Sequence, residues 1–293
     1  MKNQKNIFIV TCLAMIFFCV LCHAEESWQV LDDPCFQNGF LLTGTDLAET
    51  FGREDVTPRW RIAQWYSRGK LDRTEMNGQA VRLFDDAKSV MIDRETGEVN
   101  LAVSASKEYE TPRSSAASPW VHLLLEQTEF AEAIRMAEAE EIWVEVEFEL
   151  TAFCDHEPQH ADSHAAQFSW FFYVKNAETH DFLWFGLSLF DSRHDFTRRY
   201  AAQDFAVPDG KFIVLIGSDE TLTEKVTVGR RLKIRRDILP DLREALATAH
   251  ENGFLSGTAF SDLTLDGTNI GWEVPGVLDV GMTIRGMKVY VKR

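Results

Sequence analysis

Cysteine is scarce in this 293-residue chain: there are five, and Cys12, Cys19 and Cys22 fall within or just after its first apolar run. Cys35 and Cys154 remain, and they make no Cys-x-x-Cys pair, which excludes a zinc ribbon or a thioredoxin-type redox motif. They leave open either one disulfide or two free thiols. Proline and glycine number 8 and 17, too few for a collagen-like or low-complexity chain. A 45% hydrophobic share excludes intrinsic disorder. Also missing are a Gly-x-Ser-x-Gly elbow, a phosphate loop, a dinucleotide fingerprint and a His-Glu-x-x-His helix. Positive charge is the scarcer sign: 30 basic against 46 acidic side chains give a net charge of −16. That field repels nucleic acid and anionic lipid, and it leaves neutral glycans, cations and basic partners open.

Long apolar runs are absent except at the start. Residues 1–24 read as a secretory signal peptide, with Lys2 and Lys5 as the basic region and Cys22-His23-Ala24 as the cleavage site. The apolar run of about 15 residues is shorter than the roughly 20 that span a bilayer. The expectation is a secreted or periplasmic protein without a membrane span, in which residues 25–293 form a single domain.

What the chain does have is a period of two. In 142–152, Ile142, Val144, Val146, Phe148 and Leu150 alternate with Trp143, Glu145, Glu147, Glu149 and Thr151, the pattern of a half-buried antiparallel strand. Segments 166–174 and 182–190 are long and aromatic, joined as a hairpin by 175–181. Strands are further predicted over 211–216, 225–234, 277–291 and 121–127, with a hairpin over 90–104 turning at Glu95-Thr96-Gly97. Only 238–251 carries helical spacing, through Leu239, Leu242, Leu246 and Ala249, with Asp237 as N-cap and Pro240 in the first turn. Segment 128–141 fits helix by composition and strand by position, and 111–119 is a loop. Ten or more strands with one amphipathic helix predict an all-β fold, a two-sheet antiparallel jelly-roll sandwich.

The stretch Gly271-Trp272-Glu273-Val274-Pro275-Gly276, followed by Leu278-Asp279-Val280 and Ile284-Arg285-Gly286-Met287, resembles the closing strands of secreted concanavalin-like, carbohydrate-active sandwich domains. The resemblance covers most of residues 28–293 at the level of architecture. It implies binding or cleavage of a polysaccharide or oligosaccharide, and the fold alone fixes neither.

Sugar recognition needs aromatic faces and planar polar side chains, and the polar faces of the central strands offer both. The candidate ligand-binding set is Trp143, Glu145, Glu147, Gln167, Tyr173, Trp184 and His122, with Glu126 and Trp120 on the face of His122. These aromatics equally fit a sandwich core. Glu145-Val146-Glu147-Phe148-Glu149 resembles the Glu-x-Asp-x-Glu strand of retaining sandwich glycosidases, with Glu147 in place of the central Asp. Alternate residues stand about 6.5–7 Å apart, so neighbouring carboxyl groups of this triplet can flank a glycosidic bond, and the resemblance makes Glu145 and Glu149 the candidate hydrolase carboxylates; the competing reading is a solvated strand face. His156, His160, His164 and Asp162 have the chemistry of a divalent metal site or of a polar loop, and no other cofactor is expected. Arg193, His194 and Tyr200 match a polysaccharide lyase, with Arg neutralising a uronate and His or Tyr moving the proton; they also fit a charged loop. The leading expectation is a carbohydrate-binding sandwich. A carbohydrate-active enzyme on the same fold and an extracellular protein-binding scaffold are the alternatives.

Overall fold

The structure is a computed structural model that describes residues 27–43, 48–111, 118–157, 164–204 and 210–293. The signal segment 1–24, His160 and Asp162 lie outside the described residues. In chain order the strands are β1 (Ser27–Gln29), β2 (Phe40–Leu42), β3 (Ala48–Glu49), β4 (Trp60–Ala63), β5 (Arg73–Asn77), β6 (Ala80–Phe84), β7 (Lys88–Asp93), β8 (Glu98–Ser104) and β9 (Val121–Gln127). Then come β10 (Ile134–Arg135), β11 (Glu141–Asp155), β12 (Gln167–Asn176), β13 (Phe182–Asp191), β14 (Tyr200–Asp204), β15 (Lys211–Ile216), β16 (Arg231–Asp237), β17 (Leu263–Val274) and β18 (Leu278–Lys292). The helix α1 (Leu239–Glu251) lies between β16 and β17.

The strands form two sheets. The first runs β16-β11-β18-β8-β7-β6-β5, with β1 beside β18. The second runs β14-β15-β13-β12-β17-β9-β4-β2-β3, with β10 beside β17. The fold is therefore a two-sheet jelly-roll sandwich with one amphipathic helix. It departs from a purely antiparallel sandwich at two places, since β13–β15 and β2–β4 are parallel pairs.

The alternating pattern does what its chemistry dictates. Ile142, Val144, Val146 and Phe148 of the first sheet face Phe168, Trp170 and Phe172 of the second across one hydrophobic cluster. Each such side chain contributes about 1.5–3 kcal/mol on burial. Buried indoles find acceptors, as physical chemistry requires. Trp272 Nε1 donates to the Leu101 carbonyl at 2.9 Å and so ties the two sheets together, while Trp170 Nε1 donates to Thr268 Oγ1 at 2.8 Å.

Helix α1 buries Leu242, Ala245, Leu246 and Ala249 in the same cluster and touches β11 of one sheet and β13 and β15 of the other. It closes an edge of the core. Its first turn holds Asp241, whose carboxylate takes Arg236 at 2.6 Å and Arg199 at 2.9 Å. Two segments differ from expectation. Residues 225–230 are loop, turning at Gly229, so that β16 starts only at Arg231. Residues 128–141 are mostly turns around the short β10, because Phe130, Ile134 and Met136 supply too few buried positions for a helix face. Cys35 and Cys154 are free and exposed.

Candidate functional site

Strand register lays out the outward face of the second sheet as a grid, because side chains directly opposite on neighbouring strands share a row. Rows lie two residues apart along each strand, or about 6.5–7 Å. One row runs Asp191–Gln167–Glu273–His122 across β13, β12, β17 and β9. The next runs Ser188–Ser169–Gly271–Leu124–Ala63. The third is Gly186–Phe171–Asn269–Glu126–Arg61. In the fourth, Tyr173 stands between Trp184 and Gly267.

The second row is small at Ser188, Ser169 and Gly271 and then carries the buried Leu124 before Ala63, and banks of larger side chains stand on either side of its small part. Its depth is fixed by backbone approach. A Cβ at Gly271 would lie 2.2 Å from the Leu123 carbonyl oxygen, and in the third row one at Gly186 would lie 2.7 Å from the Phe171 ring. Neither position tolerates a side chain without moving a strand or a bank.

On one side of the floor stand the rings. Tyr173 and Trp184 lie 4.5 Å apart between centroids, with Phe182 5.3 Å and Phe171 6.0 Å from Trp184. On the other side, Glu273 accepts from Trp120 Nε1 at 3.1 Å and lies 3.6 Å from His122 Nε2. Trp120, Trp65 and Tyr66 surround the His122 ring at 5.1, 5.6 and 5.7 Å. Trp65 and Tyr66 are exposed. At the far end of the row, Gln167 Nε2 donates to Asp191 at 2.9 Å. Asp191 also receives Arg193 through Nε at 2.9 Å and Nη2 at 2.6 Å. Burial pushes the Asp191 carboxyl up, and the Arg193 and Gln167 hydrogen bonds outweigh it, so the group is held below its ordinary value. Beside it is a cleft of about 860 Å³ lined by Phe153, Phe190, His194, Phe196 and Arg198 among others.

In the third row Glu126 is buried, with Arg61 Nη1 3.9 Å from its Oε1. Burial raises the Glu126 carboxyl above its ordinary value, and Arg61 and the Tyr173 hydroxyl oppose this without cancelling it. Burial, and then the Glu126 charge, hold the Tyr173 phenol above its ordinary value too.

Of the residues singled out from sequence, Gln167, Tyr173, Trp184 and His122 share this face. Trp143, Glu145 and Glu147 do not join them, because β11 belongs to the other sheet. Trp143 lies under the Arg235 guanidinium, 4.0 Å from the ring centroid, and stacks on Tyr290. Glu145 pairs with Lys233 at 2.7 Å, Glu147 with Arg285 at 2.6 Å and Glu149 with Arg231 at 3.1 Å. The Lys233 hydrogen bond is the main reason the Glu145 carboxyl sits below its ordinary value. The structure places Glu145 and Glu149 in cross-strand ion pairs on the sheet opposite the aromatic face.

Arg193 pairs with Asp191, His194 is exposed, and Tyr200 stands on the edge strand opposite Leu215. His164 Nε2 donates to Asp155 at 2.7 Å while its Nδ1 accepts from Val277 N, and His156 lies 3.2 Å from Asp279. Among the described residues no group of three or more His, Cys, Asp or Glu side chains is placed to hold a metal. Sequence reasoning did not single out Arg61, Asn269 or Glu273 as site residues. The signal for the last two was the polar alternation Thr264, Asp266, Asn269, Glu273 interrupted by Gly267 and Gly271.

No protein-family model matches the chain, and no curated protein does. Solved structures do resemble it. The native family 12 xyloglucanase from Bacillus licheniformis is 11% identical over 79% of this chain and 100% of its own, with a TM-score of 0.48. Endoglucanase cel12A from Rhodothermus marinus is 11% identical over 76% and 97%, with a TM-score of 0.42. The xyloglucanase domain of NopAA from Sinorhizobium fredii, in complex with cellobiose, is 7% identical over 78% and 99%, with a TM-score of 0.41. The fold assignment rests on the strand order of the chain itself, a two-sheet sandwich. No described helix is long and apolar enough to cross a membrane.

Proposed function

We propose that this chain recognises a glycan laid across the outward face of the sheet that contains β9, β12, β13 and β17. The floor of Ser188, Ser169 and Gly271 between an aromatic bank and a polar bank carries this reading. Sugars present apolar CH faces and hydroxyl edges, and this face offers rings and hydrogen-bonding side chains in adjoining rows. A net charge of −16 disfavours a polyanion on the same surface.

A second reading, a carbohydrate-active enzyme, has one specific support. Glu273 is a partly exposed carboxylate in the polar bank, held by Trp120. Glycoside hydrolysis uses two carboxyl groups, about 5–5.5 Å apart for retention or 6.5–9.5 Å for inversion. The residue opposite Glu273 is Gln167, an amide, and the next carboxylate in the row is Asp191, two strand spacings or about 10 Å away and tied to Arg193. Glycan recognition on this face is common to both readings, and hydrolysis adds the requirement for a second carboxyl group near Glu273. Export fits the pattern of residues 1–24, and N-terminal sequencing of the protein recovered from the medium or periplasm tests it.

A glycan panel with calorimetric follow-up tests the main reading. Binding that is weakened by Trp184→Ala supports it, and no binding to any glycan, or capture of proteins alone, refutes it. Release of reducing ends that is lost in Glu273→Gln would promote the enzyme reading.

A further inference from the structure

The deepest polar groups of the outward face include two adjacent open acceptors. Glu126 Oε2 and Asn269 Oδ1 lack a hydrogen-bond partner, and the two residues are 2% and 3% exposed. They stand directly opposite on β9 and β17, about 5 Å apart at Cα. Tyr173 stands beside them: its hydroxyl accepts from Asn269 Nδ2 at 3.4 Å, and the Glu126 charge acts on its phenol. In the next row the Trp184 indole Nε1 is also buried without an acceptor. Buried polar atoms normally find partners, so two unpartnered acceptors side by side just beneath the outward face need an explanation.

We propose that Glu126 and Asn269 form a subsite for a pair of neighbouring hydroxyl groups on an uncharged sugar, reached when the side chains that cover them move aside, and that Glu126 rejects a uronate there. This deepens the glycan reading and rests on it. Hydroxyls have the donor and acceptor inventory the subsite lacks: each gives a hydrogen to Glu126 or Asn269 and keeps lone pairs for a donor such as the Trp184 N–H. A uronate carboxylate has no hydrogen to give and brings its charge against Glu126. An ammonium group satisfies the two oxygens and offers the indole nothing. Arg61 does not reverse this selection, since it lies on the Oε1 side at 3.9 Å and leaves Oε2 open. The Tyr173 and Trp184 rings stand beside the subsite to pack on the sugar.

The test is isothermal titration of the full chain with neutral β-linked hexasaccharides of glucose, xylose, mannose and galactose, and with oligogalacturonate and oligoalginate. The wild type is expected to bind a neutral member and to prefer it to both acidic probes. In Glu126→Gln the neutral-to-acidic affinity ratio falls by about tenfold or more, because one acceptor becomes a donor and the repelling charge is removed. A folded Glu126→Gln with an unchanged ratio overturns the subsite and leaves the glycan reading standing. Absence of binding to every probe by the wild type overturns both. If circular dichroism shows Glu126→Gln unfolded, Asn269→Ala decides in its place: about tenfold weaker neutral binding supports the subsite, and unchanged binding overturns it.

Discussion

Glu126→Gln should make the fold more stable at neutral pH while it impairs ligand binding. The wild-type side chain is 2% exposed and has one carboxylate oxygen without a partner. An unsatisfied buried polar group costs about 1–3 kcal/mol, with charged groups at the upper end. A glutamine of the same shape is neutral, and its amide can donate to the open Asn269 Oδ1. Against this gain stands the Arg61 contact, at 3.9 Å and with the arginine side chain 41% exposed. Such a pair contributes at most about 1 kcal/mol. The balance favours glutamine by about 1–2 kcal/mol, which in a chain of this size raises Tm by roughly 2–8 °C.

The pH dependence has a definite sign. Burial raises the folded-state pKa of Glu126 above its unfolded value, so the ionised group penalises the fold. That penalty is complete above the folded pKa and disappears as pH falls through the ordinary glutamate range. Urea or thermal unfolding from pH 8 to pH 4 should therefore show the advantage of glutamine shrinking on acidification. A variant that is less stable than wild type at pH 8, or one with a constant advantage across the range, refutes the reasoning.

Other residues give separate tests. Lys88 is fully buried, with its Nζ 2.7 Å from both Asp85 and Glu108; Lys88→Ala leaves two buried carboxylates unpaired and should lower unfolding free energy by about 3–5 kcal/mol in urea titration. Asp241 is held below its ordinary value: burial pushes it up, and Arg236 and Arg199 more than offset this. Its stabilisation is present above the unfolded aspartate pKa and is lost as pH falls through the folded one, so Asp241→Asn should lose about 1–3 kcal/mol at pH 7 and match wild type once both pKa values are passed. Trp184→Ala should weaken glycan binding by about tenfold, while Trp143→Ala, on the other sheet, should leave affinity unchanged by calorimetry.

Much of the fold was legible because a period of two is a statement about one strand and its two environments. Strand β9 matches the expected 121–127 in both bounds, and the 182–190 strand and its hairpin partner lie within a residue or two. What a strand cannot carry is the identity of its neighbours. Trp143 and Glu145 have the same local appearance as Tyr173 and Gln167, yet pairing with β16 and β18 gives β11 a row of lysines and arginines, whereas pairing with β13 and β17 gives β12 rings, amides and glycines. Glu126 was legible as a neighbour of His122 on one strand face. Its burial was not, because it depends on Arg61, Tyr173 and Asn269, which come from three other strands.

The central claim is that the second sheet, through its outward face, receives the glycan. Fluorine NMR of the 5-fluorotryptophan-labelled chain during titration with the best-binding oligosaccharide tests it directly, with the resonances assigned by single Trp→Phe variants. The account predicts that Trp120 and Trp184 shift with a common saturation curve while Trp143 stays in place. Movement of Trp143 alone, with Trp120 and Trp184 unmoved at saturation, would contradict it.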